Sequence, residues 1–436
     1  MSAASQPYFH SVTLDPDKCV GCTTCIKKCP TEAIRVRKGK AHIIAERCID
    51  CGECIRTCPH GAKKAVSDPL AAKDAFKVRV AVPAPTLYSQ FDEGVSMDRV
   101  LSGLLDLGFD DVYEVAEAAE VVTAATRRLL DQVERGERDL PLPLISSACP
   151  AVVKLVQVRY PSLIPHLAPL IPPMETAARV VKEVIHAGED SVGVFFISPC
   201  AGKVTAVRSP LGYSRSFVDG VIGLRDIYLP LRAAVAKTVE RPLSHAGRAG
   251  VEWARTEGEC VALGERRSIA VDGIANVIGV LESLENGKLK GVAYIEALAC
   301  PAGCVGGPLT VENPYIARSR IGNRALSLDP TPAGRTVDVA DLLWDEPVTP
   351  RPSRLLDPDM MKAMIMLEEI ERMSSLLPGL DCGSCGAPTC QALAEDVVRG
   401  NAVETDCIFK LRETVRGLAG QLLALEELKP PGLDKE

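Results

Sequence analysis

The chain has 436 residues, 50 basic and 57 acidic side chains and a formal charge of -7, a mixed and net-acidic pattern that argues against nucleic acid as a partner. Its hydrophobic share of 47 % is that of a soluble protein with buried cores, which excludes disordered and fibrous classes, and no run of about eighteen apolar residues is there to span a membrane. Seventeen cysteines in so large a chain, with no basic-then-apolar pattern over Met1–His10, point to metal ligation in a cytoplasmic protein rather than to disulfides.

The first segment carries Cys19, Cys22, Cys25 and Cys29-Pro30, then Cys48, Cys51, Cys54 and Cys58-Pro59, each a C-x2-C-x2-C-x3-C-P run. Short strand-like stretches separate them, among them the basic Arg35-Val36-Arg37 and Ala41–Ile44. C-x2-C pairs also suit tetrahedral zinc. The doubled run closed each time by Pro favours iron-sulfur cubes.

From about residue 77 apolar strands alternate with amphipathic helices. Phe76–Val82 and Asp111–Val115 read as strands, with a helix at Met97–Leu107 between them. That order predicts an α/β domain with mainly parallel sheets. Later strands are predicted at Leu142–Ile145, Val192–Ile197 and Gly291–Leu298, each followed within a few residues by Cys149, Cys200 or Cys300 and Cys304. Open parallel sheets present ligand sites at the carboxyl ends of their strands, so four thiolates there suit one cube. Arg241–Arg267, polar and Gly-containing, reads as an insertion or long loop, and its Cys260 as a buried or loop thiol with no ligand spacing.

Glu346–Pro352, rich in Pro, reads as an exposed linker. Beyond it Pro358–Leu376 and Leu411–Leu428 have helical spacing, with Cys382, Cys385, Cys390 and Cys407 between them in a small α-helical 4Fe-4S domain, for which zinc is the alternative. Gly383 and Gly386 would let backbone amides approach cluster sulfides. Met174, Met360, Met361, Met364 and Met366 read as packing residues. The composition breaks predict segments 1–76, 77–343, 344–376 and 377–436, the first an α+β ferredoxin-like domain.

The doubled run resembles the bacterial two-cluster ferredoxin, which implies that Cys19, Cys22, Cys25 and Cys58 hold one cube and Cys48, Cys51, Cys54 and Cys29 the other. The central segment resembles the FeFe-hydrogenases over residues 77 to 320. Three signatures carry this: Ser146-Ser147-Ala148-Cys149-Pro150-Ala151, Ser198-Pro199-Cys200-Ala201-Gly202-Lys203 and Glu296-Ala297-Leu298-Ala299-Cys300-Pro301-Ala302-Gly303-Cys304-Val305-Gly306-Gly307. The resemblance implies that Cys149, Cys200, Cys300 and Cys304 bind the H-cluster cube, with Cys304 bridging to the diiron subsite. Lys203 would donate to a diiron cyanide, and Ala84-Pro85-Thr86 matches a segment whose hydroxyl lies beside that subsite. Read without the resemblance, Lys203 is a surface lysine at a helix start and Glu296 an ordinary buried carboxylate.

Departures from the family pattern shape the functional expectation. Fast members carry a proton-passing cysteine where this chain has Ala148, and such acid-base help is worth about 100- to 10,000-fold in rate. A family glutamate is replaced by Ala206, an acidic pair by Ala125, Thr126 and the basic Arg127-Arg128, and packing methionines by Ser198 and Leu298. The pattern matches the divergent, sensory members of the family. The expectation is therefore an H-cluster plus three 4Fe-4S clusters, slow reaction with H2 and protons, and a sensing role. It includes a redox or signalling protein as partner and maturation proteins as the source of the diiron unit. Two alternatives stand: an active ferredoxin-linked hydrogenase with another proton route, through Ser147, Ser198 or water, and a cube-only electron-transfer or assembly protein.

Overall fold

The computed structural model describes residues 9–264, 267–329, 342–351 and 355–428. The chain forms two compact units: one of residues 1–13, 48–56 and 63–351, the other of 14–47, 57–62 and 352–436. The start of the chain, Met1–Tyr8, and parts of two segments read above, Glu265–Arg266 and Pro352, lie outside the described residues.

The first unit is α/β. Besides a short two-stranded ribbon of Val12–Leu14 and Lys63–Ala65, its strands are β1 (Val78–Pro83), β2 (Asp111–Val112), β3 (Leu144–Ile145), β4 (Val192–Ser198), β5 (Gly220–Gly223), β6 (Ser268–Asp272) and β7 (Tyr294–Leu298). The seven numbered strands make two sheets, in order β2-β1-β4-β5 and β6-β7-β3. Every pairing in them is parallel, Val80 opposite Val194 in the first and Ile295 opposite Ile145 in the second.

The apolar runs are explained by burial on both faces, as parallel sheets require. Ala81, Phe195, Ile197 and Ile222 enter one core while their neighbours Val80, Val82, Val194, Phe196 and Val221 enter another. The second sheet divides the same way, Ile145 and Ile295 to one side, Leu144 and Tyr294 to the other. Alternation is present, but between two apolar layers rather than between core and water.

Helices used below are α1 (Val115–Glu134), α2 (Pro150–Arg159), α3 (Pro173–Val180), α4 (Ala201–Arg208), α5 (Arg248–Glu252) and α6 (Gly258–Leu263). The last two correct the reading of Arg241–Arg267 as a loop. Glu257, at φ 77°, and Gly264, at φ 68°, frame the six-residue α6, and Leu263 and Cys260 join the core beside Leu129. Tertiary packing wins over a polar composition there. From Asp345 to Pro350 the chain is exposed except at Val348, which is buried, and Gln157 donates to the Thr349 carbonyl at 2.9 Å.

In the second unit the strands Ile34–Arg37 and Lys40–Ile43 form an antiparallel hairpin. Its longer helices are α7 (Met360–Leu376), α8 (Cys390–Val398) and α9 (Ile408–Glu426). The basic patch has a structural use: Arg35 and Arg37 both bond Asp396 at 2.7 Å, and Arg47 pairs with Glu395, all on or beside α8. Gly386 has no room for a side chain, since a Cβ would lie 1.9 Å from the Val36 carbonyl oxygen. Met174 is buried as expected, but Met360, Met361 and Met364 are exposed on α7 and Met366 only half-buried, which corrects their reading as packing residues.

Candidate metal centre

Four segments leave carboxyl ends of strands in the first unit and converge. β1 leads to Ala84-Pro85-Thr86, β3 to Ala148-Cys149, β4 to Cys200, and β7 to Cys300 and Cys304. Cys149 and Cys200 stand at the N-caps of α2 and α4, where helix dipoles favour negative charge.

The four thiols are mutually close, for each of Cys149, Cys300 and Cys304 feels the charge of Cys200. Burial, then the neighbouring thiolate of Cys200, pushes Cys149 up to about 11. Burial raises Cys300 and Cys304 too, opposed by the charge of Arg56 at Cys300 and of Lys203 at Cys304. Four crowded buried thiolates are stable only against a cationic group, which is what an iron-sulfur cube supplies. The set fits a cube.

Arg56, in the short helix Glu53–Arg56, donates to the Gly306 carbonyl at 3.3 Å. Burial works against its charge, but the Cys300 thiolate and Glu53 outweigh that and raise its pKa. Asp50, two residues after Cys48, forms a wholly buried ion pair with Lys154 of α2 at 2.8 Å. Its other oxygen accepts from the Ser11 backbone N–H at 3.0 Å.

Beside Cys304 lies a pocket lined by Ala84, Pro85, Thr86, Val115, Ala119, Ala148, Pro173, Pro199, Lys203, Trp253, Ala254, Glu259, Glu296 and Leu298. Thr86 Oγ1 is buried with no hydrogen-bond partner among the described residues. The Lys203 ammonium is nearly buried, 5.4 Å from the Phe196 ring centre, and bears on Cys304. Apart from the Glu259 and Glu296 carboxyls the remaining walls are apolar, so the orphaned Thr86 hydroxyl and the nearly buried Lys203 ammonium have room for a polar, anionic group as a partner. A metal unit with anionic ligands beside Cys304 fits that role.

Lys203, Thr86, Ala148 and Glu296 thus meet at one cavity. Ser198 does not line it: its hydroxyl accepts from the Cys200 N–H at 3.1 Å, a local turn that positions the ligand loop. Glu296 accepts the backbone N–H groups of Glu257 and Cys260, each at 2.9 Å. Glu259 of α6, absent from the sequence reading, is the other carboxyl. Ser146 donates to both its oxygens at 3.0 and 2.9 Å, and Tyr294 donates as well. Burial, then the charge of Glu296, pushes the Glu259 carboxyl up to about 8, which favours its neutral form. Burial also raises Glu296. Cys260, buried next to this pair, is pushed up to about 12, again chiefly by burial, and is an inert thiol.

In the second unit Cys29 Sγ accepts the Ala33 N–H at 3.2 Å and Cys58 Sγ the Ala62 N–H at 3.3 Å, the same local bond closing each run. Cys385 feels the charges of Cys382 and Cys407, and Cys390 N–H bonds Asp381 at 2.6 Å. Cys407 caps α9.

The sequence model of the iron-only hydrogenase large subunit, C-terminal domain, matches residues 77–264 and 231–308. A 4Fe-4S dicluster domain matches residues 11–59, and an Fe-S cluster domain 377–409. The periplasmic Fe hydrogenase large subunit of Nitratidesulfovibrio vulgaris is 31% identical over 239 residues, 50% of this chain and 55% of that protein. The NADP-reducing hydrogenase subunit HndD of Solidesulfovibrio fructosivorans is 25% identical over 362 residues, 70% and 58%. The chain therefore spans little more than half the length of these relatives. A solved variant of FeFe-hydrogenase HydA1 from Chlamydomonas reinhardtii shares the fold with a TM-score of 0.51 at 16% identity, over 66% of this chain and 97% of that one. Among the described residues no helix is long and apolar enough to cross a membrane.

Proposed function

The chain belongs to the iron-only hydrogenase large-subunit family, and on that premise we propose that it reacts slowly with dihydrogen as a hydrogen or redox sensor. Cys149, Cys200, Cys300 and Cys304 would hold the cube of an H-cluster, with Cys304 linking to a diiron unit in the adjoining pocket. When bound, that cofactor supplies the metal chemistry that interconverts dihydrogen with protons and electrons. The two doubled-run sets and the terminal set would hold three further 4Fe-4S clusters that carry electrons to a redox or signalling partner, and maturation proteins would supply the diiron unit.

The protein's own groups divide the remaining work. Lys203 presents a desolvated ammonium to anionic ligands and Thr86 a free hydroxyl. The alanine and proline walls exclude water. Glu259 and Glu296 hold and hand on protons, Glu259 being oriented by Ser146 and Tyr294.

The observation that carries the reading is Ala148, whose place in the pocket wall belongs, by the family pattern, to a proton-passing cysteine. A methyl group moves no proton. The carboxyl pair favours a second reading, an active hydrogenase with a different proton route, since two protonatable groups already line the cavity. Infrared spectra of the maturated protein under hydrogen and argon, with turnover measured alongside, separate the cases. Cyanide and carbonyl bands that shift under hydrogen at low turnover are the expected result. Turnover at the rate of fast family members would overturn the sensor reading, and intact cubes without those bands would overturn hydrogen chemistry altogether.

A further inference from the structure

The C-terminal helix α9 has no buried residue along its whole length, Ile408–Glu426. Ile408, Leu411, Val415, Leu418, Leu422 and Leu425 are between 40% and 63% exposed. Their spacing alternates three and four residues, which places them on one stripe of a 3.5-residue repeat. Gly417 and Gly420 fall outside the stripe, and each costs a helix about 1 kcal/mol relative to alanine. A helix so weakened and so uncovered lacks the tertiary packing that usually holds one in water.

We infer that α9 is the dimerisation element of this protein, pairing in parallel with α9 of a second copy as a short two-stranded coiled coil. The residues choose that occupant. Ile408, Val415 and Leu422 occupy the a positions and Leu411, Leu418 and Leu425 the d positions. Ile408 and Val415, two of the three a positions, are β-branched, and such residues at a with leucine at d favour parallel pairs over larger bundles. Charge agrees: in a parallel pair Thr414 and Gln421 at g face Ala419 and Glu426 at e of the other helix, so no like charges meet. An anionic lipid surface is a poorer fit, because Lys410, Arg412 and Arg416 are offset by Glu413, Glu426 and Glu427. The six seam side chains expose on the order of 500 Å² per helix, so pairing removes about 1,000 Å², the lower limit for a specific interface. The seam starts one residue after Cys407, so dimerisation and the terminal cysteine set share one helix start. This holds whatever the chemistry of the central pocket.

The test is sedimentation equilibrium of the cluster-loaded full chain, without oxygen, from about 1 to 100 μM. A monomer–dimer equilibrium in that range is expected. Leu418→Lys should weaken it at least about tenfold, with helix content and cluster absorbance retained, while Leu423→Lys, equally exposed but off the seam, leaves it unchanged. Leu425→Cys should form an intermolecular disulfide under mild oxidant, because only a parallel pair brings the two copies of this terminal position together. A chain that stays monomeric, a dimer that survives Leu418→Lys, a dimer that Leu425→Cys fails to link, or a monomer that binds phosphatidylglycerol vesicles would each overturn the proposal.

Discussion

Ser146 Oγ lies within hydrogen-bond distance of both oxygens of Glu259, at 3.0 and 2.9 Å, and so fixes a carboxyl whose pKa burial raises at the wall of the pocket that adjoins Cys304. The serine comes from the end of β3 and the glutamate from α6. Their meeting gives the pocket an acidic proton holder without any contribution from Ala148.

If that holder is on the proton route, Glu259→Gln and Glu296→Gln each lower hydrogen turnover by about 100-fold, the lower end for general acid-base help. Gln keeps an oxygen for Ser146, so cofactor bands in the infrared should persist. Unchanged turnover with full bands in both variants places the route elsewhere.

Ala148→Cys adds a protonatable group to the same wall. Turnover should rise by about 100-fold, the lower end of acid-base help. An unchanged rate at full cofactor occupancy shows that proton supply at this position is not limiting.

Lys154→Met leaves the Asp50 carboxylate buried without its cation, and breaking such a pair costs about 3–5 kcal/mol. Chemical denaturation should show that loss. Adding Asp50→Asn recovers part of it, because an amide oxygen still accepts from Ser11 while the stranded charge is gone. A single variant as stable as the parent contradicts the burial of this pair.

Glu175 of α3 provides a pH signature. Burial pushes its carboxyl up to about 7, although Ser216 and the Phe217 N–H both donate to it, at 2.6 and 2.8 Å. A raised folded-state pKa means the native state binds the proton more tightly, so stability falls as pH rises from about 4.5 to about 7 and levels off above. The loss is on the order of 3 kcal/mol. Glu175→Gln should remove that part of the slope, read as the difference in unfolding temperature between the two proteins at pH 5 and pH 8. Parallel curves sink the assignment.

How much of this was legible depended on the range of each signal. The cysteine runs were readable because ligand spacing is local, and the strands because burial on both faces leaves unbroken apolar runs such as Val80–Val82. β5 and β6 went unread: Gly220–Gly223 is four residues bounded by glycine, and Ser268–Asp272 is only half-buried over most of its length. Glu259 was hidden inside a segment read as loop. Gly264, a left-handed glycine just past an apolar turn, is the stop signal that would have marked α6 and with it the second carboxyl. Ser198 was placed beside the metal site by motif, yet its hydroxyl is used within its own turn, a matter of side-chain direction that spacing does not encode.

The buried pair of Asp50 and Lys154 has a consequence for modularity. Asp50 lies inside the second cysteine run, yet its charge is neutralised by the helix that follows Cys149, and Arg56 from the same stretch reaches the Gly306 carbonyl. Residues 48–56 are structural parts of the sheet unit. The amino-terminal region is therefore no interchangeable cartridge: truncation at residue 77 would strip Lys154 of its counter-ion within the larger unit.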